Sequence, residues 1–244
     1  MKRFVIGIMA LLLCFGFAGC REDAPPEMQS TLPETEQTTE ATYLPTVCET
    51  VPEKTDPAPL PEPGDEAFVR VLDYIPDLEV ELKYATADNF TGQIIYEFQD
   101  AYLRYGTVKK LMGVQEELRQ QKLSLKIWDA FRPTGAQFVL WEVCPNPKYV
   151  ADPNRTFSAH SRGNTVDVTI VDEDGEEIPM PTGFDDFSAL ADRDYSDCAF
   201  DVMLNALLLE QTMERHGFAG YKGEWWHFTD TDGYPVEENF RPEK

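Results

Sequence analysis

Ser158-Ala159-His160-Ser161-Arg162-Gly163-Asn164-Thr165-Val166-Asp167 is the stretch on which the reading of this chain turns. From its last residues onward, Val166, Val168 and Ile170 alternate with polar neighbours, the period of a β-strand that turns one face to a core. Asp167 falls in the opposite phase, so it is expected to point off that apolar face. Gly163 allows a sharp turn just ahead of the strand. A loop residue, His160, and a strand residue, Asp167, can therefore converge.

Working outward, Leu123, Leu125 and Ile127 alternate in the same way. That strand runs into Asp129-Ala130-Phe131-Arg132-Pro133, where Pro133 suits the first turn of a following helix. Upstream, Thr107 is expected to cap a helix whose Leu111, Val114 and Leu118 share a face. Downstream, Ser196 is expected to cap a long helix carrying Phe200, Leu204, Leu207 and Leu208, which stops at Gly217. The aromatic run Trp225, Trp226 and Phe228 predicts a last strand. Strands and helices do not alternate regularly, so the expected class is α+β.

The termini of this region differ in texture. Residues 1–20 begin with Lys2 and Arg3 and continue through an apolar run, Phe4 to Phe17, which is short for a membrane span. The run closes on Phe17-Ala18-Gly19-Cys20, which resembles the lipobox of bacterial lipoproteins, with Phe17 in place of the usual Leu. That resemblance implies export and a lipid anchor on Cys20 in the cell membrane. Residues 21–66 hold half of the chain's 18 prolines among Thr and Glu. Such a stretch has too little apolar surface to offset the entropy of ordering, and is expected to be a disordered acidic tether. Residues 67–244 are then the single folded domain. The formal net charge of −23, with no basic stripe, excludes a nucleic-acid partner. In an oxidising compartment Cys144 and Cys198 are the one pair available for a disulfide within the folded region, and Cys48 lies in the tether.

The chain has only three histidines, and two sit among other ligand types. A catalytic zinc site uses three protein ligands and keeps one position open. His160, Asp167 and His227 supply two neutral nitrogens and one anionic oxygen. Glu224 lies three residues before His227, so on a regular strand the two would face opposite ways. Both reach one site only if Glu224 sits in a turn, which Gly223 favours. There it is placed to act as general base. Arg132 is a candidate for stabilising negative charge in a transition state, with Asp129 just upstream to hold its guanidinium. The third histidine, His216, falls near a helix C-terminus, where it suits the helix dipole.

At this point the residues resemble the VanX-type D-alanyl-D-alanine dipeptidases. The resemblance runs through ordered blocks: Lys83 to Gly92, Trp128 to Pro133, Ser158 to Asp167, Pro179 to Phe187 and Glu224 to Phe228. It implies a mainly antiparallel sheet flanked by helices, and one Zn2+ on His160, Asp167 and His227. It further implies Glu224 as general base, Arg132 as transition-state stabiliser, Asp185 as the carboxylate that receives the free amine of a dipeptide, and Tyr84 and Ser158 in the substrate pocket. The substrate implied is D-Ala-D-Ala or a peptidoglycan-derived peptide. Two departures stand out: Thr165 replaces the usual Ala, and the stretch from Arg132 to His160 is shorter than in the resistance enzymes. Export points to turnover of wall peptides, because a resistance role requires the dipeptide to be destroyed in the cytoplasm. Two other readings remain open on sequence alone, a zinc D,D-carboxypeptidase that trims stem peptides and an inactive wall-peptide binding module.

Overall fold

The computed structural model describes residues 62–147 and 149–244. In chain order its regular elements are β1 (Phe68–Arg70), β2 (Glu79–Val80), β3 (Tyr102–Arg104), α1 (Tyr105–Arg119), β4 (Ser124–Asp129), α2 (Thr134–Val143), β5 (Thr165–Val171), α3 (Phe200–Arg215), β6 (Phe218–Gly220) and β7 (His227–Asp230). Five strands form the main sheet in the order β2-β4-β5-β7-β6. Only the β2–β4 pair is parallel; the other three pairings are antiparallel. The expected α+β class and mainly antiparallel sheet are both observed. β1 and β3 form a separate antiparallel pair.

β5 is the central strand and all seven of its residues are buried. Val166, Val168 and Ile170 join Leu125 and Ile127 of β4 in the hydrophobic core, as the alternation predicts. α1 packs on β3 and β4, α3 packs on β6, and the two helices touch each other. α1 contributes Val108, Leu111, Val114 and Leu118, all fully buried. Removing these four side chains from water is worth about 1.5–3 kcal/mol each.

Several local expectations need correction. Thr107 does not cap α1. The chain passes from β3 into the helix without a loop, so the cap position falls on Arg104 and Thr107 lies inside the first turn. Its hydroxyl instead donates to the buried Asp230 Oδ2 at 2.7 Å. Ser196 does not cap α3 either. It belongs to a short 3-10 turn, Tyr195–Asp197, whose Ser196 N–H is taken by the Asp194 side chain, and α3 starts four residues later. The apolar face of α3 differs in part from the one expected: Leu207 and Leu208 do pack half-buried against the core and Ala206, Leu209 and Met213 are buried, whereas Phe200 and Leu204 are exposed. Gly217 does end the helix, with φ of +86°. Pro133 takes the cap position of α2 rather than the first turn. Trp225 and Trp226 lie ahead of β7, not in it, yet are almost completely buried.

Cys144 and Cys198 are both free thiols, so the possible disulfide does not form. Cys144 ends α2, while the Cys198 Sγ turns toward its neighbour Asp197 Oδ1 at 3.7 Å. His216 does follow α3, but its partner is a side chain, not only the helix dipole: Nε2 lies 2.9 Å from Glu117 Oε2 of α1. Cys20, Cys48, the apolar run and most of the Pro-rich stretch lie outside the described residues. Among the described residues no helix is long and apolar enough to cross a membrane.

Candidate metal and peptide site

Three neighbouring strands carry the centre of the site. Asp129 on β4 pairs with Asp167 on β5, and Asp167 pairs with His227 on β7. A register shift between Ile127 and Asp129 re-aims the end of β4. His160 comes from the 3-10 turn Ala159–Arg162 that precedes β5. Ser158 caps this turn by accepting from the His160 N–H at 3.3 Å. Gly163 ends it with φ of +74°, and a Cβ there would come within 2.4 Å of the Phe68 ring. Only glycine satisfies both demands.

The ring of His160 is oriented from behind. Its Nδ1 lies 2.8 Å from the Ala130 carbonyl oxygen, which can only accept, so the proton belongs on Nδ1 and the Nε2 lone pair faces the pocket. Nε2 lies 3.4 Å from Asp167 Oδ2 and 3.3 Å from His227 Nδ1. His227 Nδ1 is 2.9 Å from Asp167 Oδ1. One ligand atom from each of the three residues lies within 4.8 Å of the others. Burial opposes charge on Asp167, but the two imidazoles beside it hold its carboxyl far below the usual range. Two imidazole nitrogens with converging lone pairs and one dependable carboxylate fit a divalent cation.

Glu224 occupies the turn that the sequence required of it. Its N–H donates to the Tyr221 carbonyl at 3.3 Å, and the His227 N–H donates back to the Glu224 carbonyl at 3.4 Å. The turn brings Glu224 Oε2 to 3.7 Å from His227 Nδ1. Burial pushes its carboxyl up to about 7; His227 opposes the rise, and Asp167 and Asp185 add to it. That is the range in which a carboxylate exchanges protons readily at neutral pH.

Arg132 is buried beside the histidines. Its Nε and Nη2 donate to Asp129 Oδ2 at 3.2 and 2.6 Å, and its Nη1 donates to Gln137 Oε1 at 3.2 Å. The guanidinium carbon stands 5.1 Å from the centre of the Tyr84 ring. Tyr84 is presented by a loop that Asn89 knits together, its amide donating to the carbonyls of Lys83, Thr86 and Gln93. The Tyr84 hydroxyl donates to Asp185 Oδ2 at 2.8 Å. Asp185 itself adopts φ of +54°, uncommon for a residue with a side chain. Burial pushes its carboxyl up to about 7; the Tyr84 bond opposes this, and Asp167 adds to it.

These side chains line one cavity of about 230 Å3. His160, Asp167, His227, Glu224, Arg132, Asp185, Tyr84 and Ser158 all reach it, so the catalytic, metal and substrate candidates named from the sequence converge on a single pocket. A family model described as Peptidase_M15, D-ala-D-ala dipeptidase, matches residues 65–241. The chain belongs to this family. Among its curated relatives, a D-alanyl-D-alanine dipeptidase of Escherichia coli K12 is 40% identical over 153 residues, covering 63% of this chain and 79% of the relative. A protein of the same name from Enterococcus faecium is 31% identical over 172 residues, covering 62% and 85%. One from Streptomyces coelicolor is 33% identical over 190 residues, covering 68% and 91%.

Other contributors to this M15 pocket were not found from sequence. The segment Pro147, Tyr149, Val150 and Ala151 forms one wall, and Phe157 and Tyr221 add aromatic surface. Gln137 and Tyr96 act from behind, Tyr96 donating to Asp129 Oδ1 at 2.8 Å. Only Gln137 left a trace in the sequence: it is a polar residue inside the otherwise apolar run of α2.

Proposed function

We propose that this protein is a zinc-dependent D-alanyl-D-alanine dipeptidase that acts outside the cytoplasm on wall-derived peptides. The observation that carries the reading is the half-buried carboxylate of Asp185, held by Tyr84 in the same pocket as Glu224 and the His160, Asp167 and His227 cluster. A free ammonium is the group that satisfies such a carboxylate, and a substrate lacking one leaves it unpaired. The names of the relatives supply the chemistry that fits: a dipeptide places its ammonium one residue from the bond to be cut.

His160, Asp167 and His227 would hold the zinc ion. When bound, such an ion supplies Lewis acidity, polarising a carbonyl and acidifying a water molecule. Glu224 accepts the proton released by the attacking water and returns it to the leaving amine, a transfer suited to a carboxyl lifted toward 7. Arg132, already oriented by Asp129, meets the negative charge that develops on the carbonyl oxygen. Because its donors are fixed before the reaction, little reorganisation is needed as that charge appears. Asp185 and Tyr84 hold the ammonium, and Ser158 keeps His160 aimed through its cap.

A carboxypeptidase acting on stem peptides would have to bury a blocked amine against Asp185. The test is turnover of D-Ala-D-Ala beside its N-acetyl form, with zinc and with chelator, in the natural chain and in Glu224→Ala. Zinc-dependent cleavage of the free dipeptide alone, lost in the variant, is the expected result. Preference for the acetylated peptide would move the protein to the carboxypeptidases. Zinc binding without turnover of either would make it a binding module. Extracytoplasmic anchoring rests on the pattern from Lys2 to Cys20. Cys20→Ala should release the protein from the membrane fraction, and unchanged fractionation would count against a lipid on that residue.

A further inference from the structure

The Arg132 guanidinium is held unevenly. Its Nε and Nη2 both donate to one oxygen, Asp129 Oδ2. The other oxygen of Asp129 is already occupied, accepting from the Tyr96 hydroxyl at 2.8 Å and from the Ala130 N–H at 2.9 Å. Asp129 therefore cannot offer the two-oxygen fork that fixes a guanidinium in its plane. A single shared acceptor acts as a pivot.

Gln137 supplies the second fixed point. It sits on α2, five residues after Arg132, with no exposed surface. Its Oε1 accepts from Arg132 Nη1 at 3.2 Å, and its Nε2 donates to the Ala151 carbonyl at 2.8 Å. The orientation of the amide is dictated by its partners, because a guanidinium only donates and a carbonyl only accepts. Ala151 belongs to the segment, with Pro147, Tyr149 and Val150, that walls the pocket. One buried amide thus joins the guanidinium to that wall.

We infer that Gln137 is a positioning residue, which fixes the direction of the Arg132 guanidinium and ties it to the pocket wall formed by Pro147 to Ala151. The inference rests on the reading of Arg132 as the group that meets developing charge. Gln137 neither lines the pocket nor belongs to the His160, Asp167 and His227 cluster, so its contribution travels through Arg132 and belongs to kcat more than to KM.

The experiment is steady-state turnover of D-Ala-D-Ala by the full-length, zinc-loaded protein and by Gln137→Leu, Gln137→Met and Gln137→Glu. Melting curves establish the folded fraction to which each rate is referred. Gln137→Leu and Gln137→Met make no hydrogen bond to Arg132, and kcat is expected to fall about ten- to a hundredfold, with KM changed by less than about threefold. Gln137→Glu keeps an oxygen for Arg132 Nη1 but gives up the N–H that meets the Ala151 carbonyl, and is expected to recover part of the lost kcat, exceeding Gln137→Leu and Gln137→Met, which a purely structural role would not produce. If Gln137→Leu fails to fold, Gln137→Met, closer to the natural volume and flexibility, decides the matter. A bond-less variant with kcat within about twofold of the natural chain, or a Gln137→Glu variant no better than Gln137→Leu, overturns the inference. Absence of turnover in the natural protein would instead overturn the functional reading, and this inference with it.

Discussion

Asp185→Asn should make the metal-free protein more stable and the enzyme much poorer. Burial lifts the Asp185 carboxyl from 3.8 to about 7 in the fold, so the folded state keeps a proton that the unfolded chain has already lost. Where the folded state binds the extra proton, stability falls as pH rises. The loss therefore starts near the unfolded value of 3.8, accumulates up to about 7, and is complete above that. Three units at 1.36 kcal/mol each set an upper bound of about 4 kcal/mol on the cost at pH 8. Asparagine removes the titration and leaves the rest in place. It tolerates the φ of +54° as well as aspartate does, and its oxygen still accepts from the Tyr84 hydroxyl. The variant should gain up to about 4 kcal/mol at pH 8, and the gain should shrink to nearly nothing by about pH 4. The assay is urea unfolding across that range in the presence of chelator, with turnover measured on zinc-loaded samples. kcat/KM for D-Ala-D-Ala should fall by about a hundredfold, because the ammonium loses its charged partner. Equal stabilities at pH 8, or a difference that does not depend on pH, would refute the reasoning.

Other perturbations have definite outcomes. Glu224→Gln keeps the shape of the turn and removes the proton acceptor, so kcat should drop about a hundred- to ten-thousandfold with KM little changed, as steady-state kinetics would reveal. Gly163→Ala forces a Cβ against the Phe68 ring at a φ of +74°; thermal unfolding should show a loss of about 2–4 kcal/mol, with weaker metal retention on dialysis. Chelation should lower the melting temperature and added zinc should restore it, an effect absent in His160→Ala. For the zinc-loaded enzyme, kcat/KM should rise with pH along an acid limb at or below about 7, since Glu224 and Asp185 both act as carboxylates and a nearby cation pulls both downward.

The parts of this molecule that were legible in the sequence are those set by period and by residue type. Alternation fixed the phase of β4 and β5, and with it the side from which Asp167 approaches His160. The rule that positions three apart on a strand face opposite ways required a turn at Glu224, and the hydrogen bonds of that turn are present. The errors arise where tertiary partners outweighed local preference. Thr107 carries good capping chemistry, but β3 feeds directly into α1, and the hydroxyl satisfies the buried Asp230 instead. Phe200 and Leu204 follow a helical spacing, yet the residues α3 buries are Ala206, Leu209 and Met213, and Phe200 and Leu204 face outward. Helical period identifies a face; it does not say which of two apolar faces will find a neighbour.

The same distinction separates the groups that react from the groups that hold them. His160, Asp167, His227 and Glu224 belong to short motifs whose types and spacing already imply chemistry. The Ala130 carbonyl that fixes the His160 ring has no side-chain signature at all, and Tyr96 reaches Asp129 across 33 residues of chain. Asp129 divides its two oxygens between Arg132 on one side and Tyr96 with Ala130 on the other. Because that carboxylate is fully buried, removing any one partner leaves its charge under-satisfied. Tyr96→Phe, at a residue that does not line the pocket, should therefore destabilise the fold by about 1–3 kcal/mol and also reduce kcat, by loosening the acceptor on which Arg132 pivots. Unfolding and turnover measured on the same preparation test both halves; a stability loss with kcat unchanged would mean that Asp129 keeps Arg132 in place without Tyr96.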